Sequence, residues 1–106
     1  MNRTIRRARA TQAIPIPERQ LQAHVELMLR SLGWMYYHTH DSRRSVSGFP
    51  DLVALRGRRM VVLELKRDGA SATPEQRQWL RAFAETGVEA YIVYGDALDE
   101  LATLLA

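Results

Sequence analysis

Three charged residues, Asp51, Glu64 and Lys66, lie within or beside stretches of sequence that are otherwise apolar. Carboxylate oxygens are the ligands that Mg²⁺ prefers, and a lysine ammonium is a compact positive charge suited to a phosphate. Lys66 is the only lysine among 15 basic residues, so its position is not a by-product of a lysine-rich composition. Whether the three side chains can act together depends on the elements that carry them.

Two strands and a glycine turn carry these residues. The segment GFPDLVALRGRRMVVLELK predicts strands over Asp51–Arg56 and Arg59–Leu65. If Gly57 and the next residue form a two-residue hairpin turn, Arg56 pairs with Arg59. The same register places Asp51 opposite Glu64, with Cβ atoms about 4.5 to 5.5 Å apart.

Two carboxylates in so small a volume repel each other, and burial adds a desolvation cost. Lys66 lies two residues after Glu64 on the same strand and therefore points to the same face. The lysine alone could neutralise the pair. A divalent cation is the more specific answer, because Mg²⁺ binds one or two carboxylates, keeps several waters and accepts phosphate oxygens.

The first predicted helix begins after Pro17 and carries an apolar stripe, and its first acid is Glu18. At 100° per residue Glu18 lies about 40° from the centre of that stripe, whereas Glu26 lies about 120° away. Glu18 therefore leans toward the core. A simpler interpretation is a favourable acid in the first turn of a helix.

The remaining elements complete an α/β domain. A crossover from one strand through a helix to the next strand predicts parallel pairing of the last two strands, and thus a mixed sheet flanked by helices. The predicted elements beyond those above are a strand in 34–40, a helix in 73–87 capped by Thr73 and Gln76, a strand in 88–95 and a helix in 96–106.

Composition indicates one domain of the ordinary globular class, over residues 15–106, preceded by a basic flexible tail over 1–14. The tail carries four arginines, and without them the chain has one more acidic than basic residue. Such a tail can bind phosphates by counterion release, or can simply be solvated. The chain has no cysteine and no apolar run of membrane-spanning length, so we expect a cytoplasmic protein without a membrane partner.

The motifs GFPD, ELK and TPEQ, together with HTHDSRRS and the order α-β-β-β-α-β, resemble the PD-(D/E)XK nuclease superfamily. The chain is most similar to its VRR-Nuc family, the virus-type replication and repair nucleases, in their small stand-alone form. The resemblance extends from Glu18 to Leu101.

The resemblance implies a role for each matching residue. Asp51 matches the acid of the P-D motif, and Glu64 and Lys66 match the E-x-K motif. Leu65 would offer its backbone carbonyl to the metal, with Glu18 as a further metal ligand and Glu26 as a less favoured substitute. Gln76 would act at the catalytic site, although a capping role explains it as well. The residues implied in DNA contact are His40, Ser42, Arg43 and Arg44.

The activity implied is that of a Mg²⁺- or Mn²⁺-dependent DNA endonuclease of PD-(D/E)XK fold. Stand-alone members of the family are thought to act as homodimers on branched DNA, so we expect a homodimer that cuts junction or flap substrates. The alternative is a non-catalytic nucleic-acid-binding module that keeps the fold and uses its basic residues. The complete set of two acids and a lysine favours the enzyme.

Overall fold

The computed structural model describes residues 2–5, 16–40 and 46–106. Within these ranges the chain forms five strands and three helices. In chain order they are β1 (Asn2–Ile5), α1 (Glu18–Ser31), β2 (Met35–His38), β3 (Leu52–Arg56), β4 (Arg59–Lys66), α2 (Pro74–Glu85), β5 (Glu89–Tyr94) and α3 (Leu98–Leu105).

The strands form one mixed sheet in the order β1-β5-β4-β3-β2. The hairpin register is as predicted, with Arg56 opposite Arg59 and Val53 opposite Val62. Gly57 has a φ of 60°, which a glycine adopts without strain. Strand β5 runs parallel to β4, which confirms the crossover expected through α2.

One strand was not predicted. Residues 2–5 form β1, which pairs in parallel with β5, whereas a flexible tail was expected over residues 1–14. Ile5 is fully buried in the core. Burial of this apolar side chain stabilises the docking of the segment on the open edge of β5. The expectation of a tail is therefore wrong for residues 2–5, and residues 6–15 lie outside the described part of the chain.

The two faces of the sheet bury different side chains. Helices α1 and α3 cover one face, where Leu21, Val25 and Leu29 recur at helical spacing and meet the odd-numbered residues of β4. Helix α2 covers the other face through Leu80, which packs on Val62 and Ile92. Because side chains alternate along a strand, Glu64 and Lys66 share the α2 face with Val62.

None of the helices in the described ranges has the length and apolar character that crossing a membrane requires.

Candidate active site

Asp51 lies one residue before β3, at the end of the sheet where β4 finishes. Its carboxylate Oδ2 accepts a hydrogen bond of 2.7 Å from the backbone N–H of Leu65. Its carbonyl accepts a bond of 2.8 Å from the N–H of Thr39. The hydroxyl of Thr39 donates to the carbonyl of Pro50 at 2.7 Å. Asp51 is thus fixed from both neighbouring strands.

The position of Pro50 explains why the pairing of β3 with β4 ends here. Leu52 is opposite Leu63, so continuing the register sets Pro50 against Leu65. Proline has no N–H to donate to the Leu65 carbonyl. The side chain of Asp51 takes the Leu65 N–H instead. Since the N–H and C=O of one strand residue leave the same edge, the Leu65 carbonyl also faces the side where Asp51 lies.

Glu64 is the one charged residue of the described chain that is buried, with 1% of its surface exposed. Its Oε2 accepts a hydrogen bond of 3.0 Å from Gln76 Nε2, and Lys66 Nζ lies 3.8 Å from the same oxygen. Its other oxygen, Oε1, is buried and has no hydrogen-bond partner among the residues described. A buried carboxylate oxygen without a partner is costly, which marks the position as a binding site for a cation or a proton.

The protonation of Glu64 reflects this environment. The pKa of its carboxyl is raised from 4.5 to about 9, first by burial and then by the nearby Asp51 carboxylate, against a lowering by Lys66. The negative charge of Glu18 adds a smaller upward contribution to the same pKa. Two acids and a lysine therefore share one electrostatic environment, as the hairpin register predicted.

Gln76 makes the capping contacts expected from the sequence, and its side chain also contacts Glu64. Its backbone N–H donates to Thr73 Oγ1 at 3.1 Å, and its side-chain Oε1 accepts from the Thr73 N–H at 2.8 Å, which completes a capping box. The amide nitrogen of the same side chain donates to Glu64. Capping of α2 thus orients the amide that reaches the active site.

The donor set fits a hard divalent cation. Glu64 Oε1, the carboxylate of Asp51 and the Leu65 carbonyl are all oxygen donors, as Mg²⁺ requires. The described residues contain no group of three His, Cys, Asp or Glu side chains placed to hold a metal ion. The fit is therefore to an ion held by two carboxylates and a backbone carbonyl, with water completing its shell.

The two acids of α1 have different surroundings. Glu18 is exposed at the start of the helix and is close enough for its charge to raise the pKa of Glu64. Glu26 accepts hydrogen bonds of 2.8 Å from Gln22 and 2.9 Å from Tyr36. Burial alone would raise the pKa of Glu26, but these bonds lower it. The expectation that Glu18 leans toward the core is wrong, because its side chain is exposed. Of the two acids, Glu18 is the one whose charge contributes to the raised pKa of Glu64.

The predicted DNA contacts are described only in part. His40 is exposed, with its ring centroid 5.1 Å from that of His38. The other predicted contacts, Ser42, Arg43 and Arg44, lie outside the described residues.

Two residues that shape the site were not singled out from the sequence. Thr39 fixes the backbone before Asp51 through its hydroxyl and its N–H. Gly48 packs so closely on α2 that a Cβ there would lie 2.6 Å from the carbonyl carbon of Glu75 and 2.8 Å from the nitrogen of Gln76. The glycine in GFPD was the available indication, since a glycine close to a proline marks a constrained backbone.

The sheet order and the placement of two acids and a lysine at one end of a hairpin define the PD-(D/E)XK nuclease fold. The sequence model of the VRR-NUC domain family matches residues 9–97 of the chain. The chain therefore belongs to this nuclease family.

Known proteins similar to this chain agree with that assignment. A Fanconi-associated nuclease 1 homolog of Caenorhabditis elegans is 37% identical over 70 residues, which are 64% of this chain and only 7% of that protein. A solved VRR_NUC domain has a TM-score of 0.69 at 22% identity, covering 81% of this chain and 94% of its own. The Holliday junction resolvase Hjc of Archaeoglobus fulgidus has a TM-score of 0.58 at 24% identity, covering 74% of this chain and 70% of its own. These two structural likenesses concern the fold.

Proposed function

We propose that the chain is a divalent-metal-dependent endonuclease that hydrolyses phosphodiester bonds of DNA. The observation that carries the proposal is the meeting of Asp51, Glu64 and Lys66 at one end of the sheet, where Glu64 Oε1 is buried without a partner among the described residues. An ion pair with Lys66 does not account for that oxygen, because Lys66 lies next to Oε2 of Glu64. The 3.8 Å separation of Lys66 from Glu64 also leaves the ammonium able to contact a second anion.

Asp51, Glu64 and the carbonyl of Leu65 would hold the metal, which is Mg²⁺ or Mn²⁺, with Glu18 adding negative charge nearby. When bound, such an ion polarises the scissile phosphate and lowers the pKa of a water ligand. The chain prepares this position by three means. Pro50 leaves the Leu65 carbonyl without a strand partner, Asp51 is fixed by backbone bonds, and Gln76 holds Oε2 of Glu64 so that Oε1 faces the ligand.

Lys66 supplies a positive charge that can interact with the negatively charged phosphate of the substrate. Only 12% of its side chain is exposed, so its interaction with a phosphate is weakly screened by water. From this position it orients the attacking water or stabilises the negative charge that develops on the phosphate. Either role requires the ammonium to contact the attacking water or the phosphate rather than only Glu64.

The preferred substrate is branched DNA, such as a junction or a flap, and the active form is a homodimer. The fold is shared with a protein named as a Holliday junction resolvase, and sequence similarity extends to the nematode nuclease. An exposed apolar surface supports self-association. On the α2 face of β2 and β3, Met35, Tyr37 and Leu55 are 73%, 60% and 44% exposed. A single domain of this size also offers little surface to grip both arms of a junction.

The test is cleavage of labelled duplex, flap and four-way-junction DNAs by the purified protein with Mg²⁺, with Mn²⁺ and with a chelator. The variants are Asp51→Asn, which retains an acceptor for the Leu65 N–H, and Glu64→Gln, which retains the side-chain volume. The matched control is Glu85→Gln, an exposed acid at the end of α2. We expect metal-dependent cleavage that both site variants lose and the control keeps. Full activity in both site variants would overturn the proposal.

Oligomeric state is tested separately, by sedimentation of the wild-type chain and of Tyr37→Asp. A charge at the centre of the apolar surface should shift a dimer to a monomer, because it cannot be buried without a partner. A wild-type chain that sediments as a monomer at every concentration contradicts the homodimer and leaves the nuclease proposal standing.

A further inference from the structure

A groove lies beside α2, and neither Asp51 nor Glu64 lines it. Its volume is about 420 Å³, and Val46, Ser47, Glu75, Gln78, Trp79 and Ala82 line it. The walls are mostly apolar, and Val46 is 71% exposed. The sheet residues that bury the apolar stripe of α2 do not take part in the groove, so it is not a defect in the core.

The indole of Trp79 lines the groove and packs against two phenylalanine rings. Phe49 meets Trp79 edge to face, with ring centroids 5.1 Å apart and an interplanar angle of 74°. Phe83 contacts both rings, at 5.8 Å from Phe49 and 6.1 Å from Trp79. Such contacts favour a defined orientation of the indole. Trp79 is only half-buried, so part of its surface lines the open groove.

Both walls of the groove are adjacent in sequence to residues of the candidate active site. On α2, Glu75 lines the groove and the next residue, Gln76, contacts Glu64. On the other wall, Ser47 is followed by the segment that reaches Asp51. Gly48 brings this segment against the backbone of Glu75 and Gln76. The groove therefore lies close to the acid pair, through residues that are adjacent in sequence on both of its walls.

We propose that this groove binds an unpaired nucleobase of the DNA strand being cut, stacked on Trp79. The inference rests on the proposed nuclease function and names a feature of its substrate. Every base has a face that stacks on an aromatic ring, and such stacking is largely independent of sequence. The carboxylate of Glu75 and the amide of Gln78 can accept from base amino groups, as acidic and amide side chains do when they contact base edges.

The charge of the groove favours a base over a phosphate. Among the described residues that line it, Glu75 alone is charged, and a carboxylate repels the sugar-phosphate backbone while it accepts from an amino group. A base within a duplex is stacked and paired and cannot enter a side groove without being extruded. A nucleotide at a flap, a junction or a mismatch is already free to enter. The groove therefore favours DNA with an unpaired nucleotide over a continuous duplex, through the binding of one base.

The test measures binding in chelator, so that cleavage does not take part. The probes are a short fluorescein-labelled single strand and the same strand with abasic sugars at its central positions, followed by fluorescence anisotropy. The variants are Trp79→Leu, which keeps apolar volume, and Trp79→Phe, which keeps an aromatic face. Thermal melting of each variant confirms that it is folded.

We expect Trp79→Leu to bind the normal strand about tenfold more weakly, the effect of losing one base–aromatic stack. Its affinity for the abasic strand should equal that of the wild-type chain, and Trp79→Phe should restore most of the binding. Equal losses on both probes, or no loss on either, overturn the proposal. So does a shift of Trp79→Leu from dimer to monomer with unchanged DNA affinity, because the groove would then bind a second copy of the chain.

Cleavage assays separate this inference from the proposed function. If the wild-type chain cuts DNA with Mg²⁺ but Trp79→Leu keeps the same ratio of flap to duplex cleavage, the base-binding groove is wrong and the nuclease stands. If binding of the single strand depends on Trp79 but no DNA is cut with either metal, the groove stands and the nuclease is wrong.

Discussion

Gln76 donates from Nε2 to Oε2 of Glu64 at 3.0 Å, while Oε1 of the same amide accepts from the backbone of Thr73. One side chain thus joins the start of α2 to the buried acid of β4. The cap determines which end of the amide faces the carboxylate, because only the oxygen can accept from the Thr73 N–H. The site and the helix that covers it are therefore positioned by the same residue.

Replacing Gln76 should separate its two roles when it is compared with Thr73→Ala. Each variant loses one of the two hydrogen bonds of the capping box, which should lower the free energy of unfolding by about 1 kcal/mol. Only Gln76→Ala also removes the donor to Glu64, so its turnover should fall by about 10- to 100-fold, as expected for a hydrogen bond to a charged group. Urea unfolding and single-turnover cleavage measure the two effects. Equal turnover in the two variants would show that Gln76 is a capping residue only.

The stability of the metal-free chain should decrease as the pH rises. The pKa of Glu64 is about 9 in the folded chain, against 4.5 as its ordinary value. Between these values the folded state holds a proton that the unfolded state has released, so the free energy of unfolding falls, by up to about 1.4 kcal/mol per pH unit. The contribution of this proton to stability is fully present below pH 4.5 and is lost as the pH rises to about 9.

Urea unfolding over a pH series, in chelator, checks this dependence. Glu64→Gln cannot titrate and should show a much flatter profile, with higher stability than the wild-type chain at alkaline pH by on the order of 2 kcal/mol. The exposed Glu85→Gln serves as the control and should follow the wild-type slope. A slope that survives in Glu64→Gln would assign the effect to other groups.

Gly48→Ala should impair the site more than a glycine replacement elsewhere. The added Cβ would lie within 2.8 Å of α2 backbone atoms, and Gly48 also has a φ of 91°. Gly57, with a φ of 60° and no atom within 4 Å of an added Cβ, is the matched control for strain alone. We expect about 1 kcal/mol of destabilisation for Gly57→Ala and about 2 to 4 kcal/mol for Gly48→Ala, together with reduced cleavage. Similar values for both variants, in thermal melting and cleavage, would contradict the importance of this close contact.

Glu18 and Glu26 can be distinguished by titration of the chain with Mn²⁺. Glu18→Gln should weaken binding by about fivefold or less, because an exposed charge contributes about 1 kcal/mol or less. Glu26→Gln should leave the affinity unchanged, since its hydrogen bonds are made with Gln22 and Tyr36. Loss of binding in Glu18→Gln as complete as in Glu64→Gln would instead make Glu18 a direct ligand.

The hairpin was predictable from the sequence because a glycine turn fixes the register, and period-two alternation then determines which side chains meet. That reasoning predicted that Asp51 lies opposite Glu64 and that Lys66 lies beside them. It did not reveal how Asp51 is fixed, because the bond to the Leu65 N–H depends on where the ladder ends. It also missed β1, since a short segment with one buried apolar residue forms a strand only when another strand offers an edge. Local pattern carries no information about that edge.

The pairing of β1 with β5 has a consequence for the order of folding. Asn2 is aligned with Ala90, so this contact closes almost the whole chain into a loop, whereas the β3–β4 hairpin closes only a short turn. Loop closure costs more entropy as the separation grows, and distant pairings tend to form late. Until β1 docks, β5 has an unpaired edge that another molecule can extend by strand addition. A chain that lacks residues 2–5 keeps that edge open, and aggregation during refolding is the property in which its loss should appear.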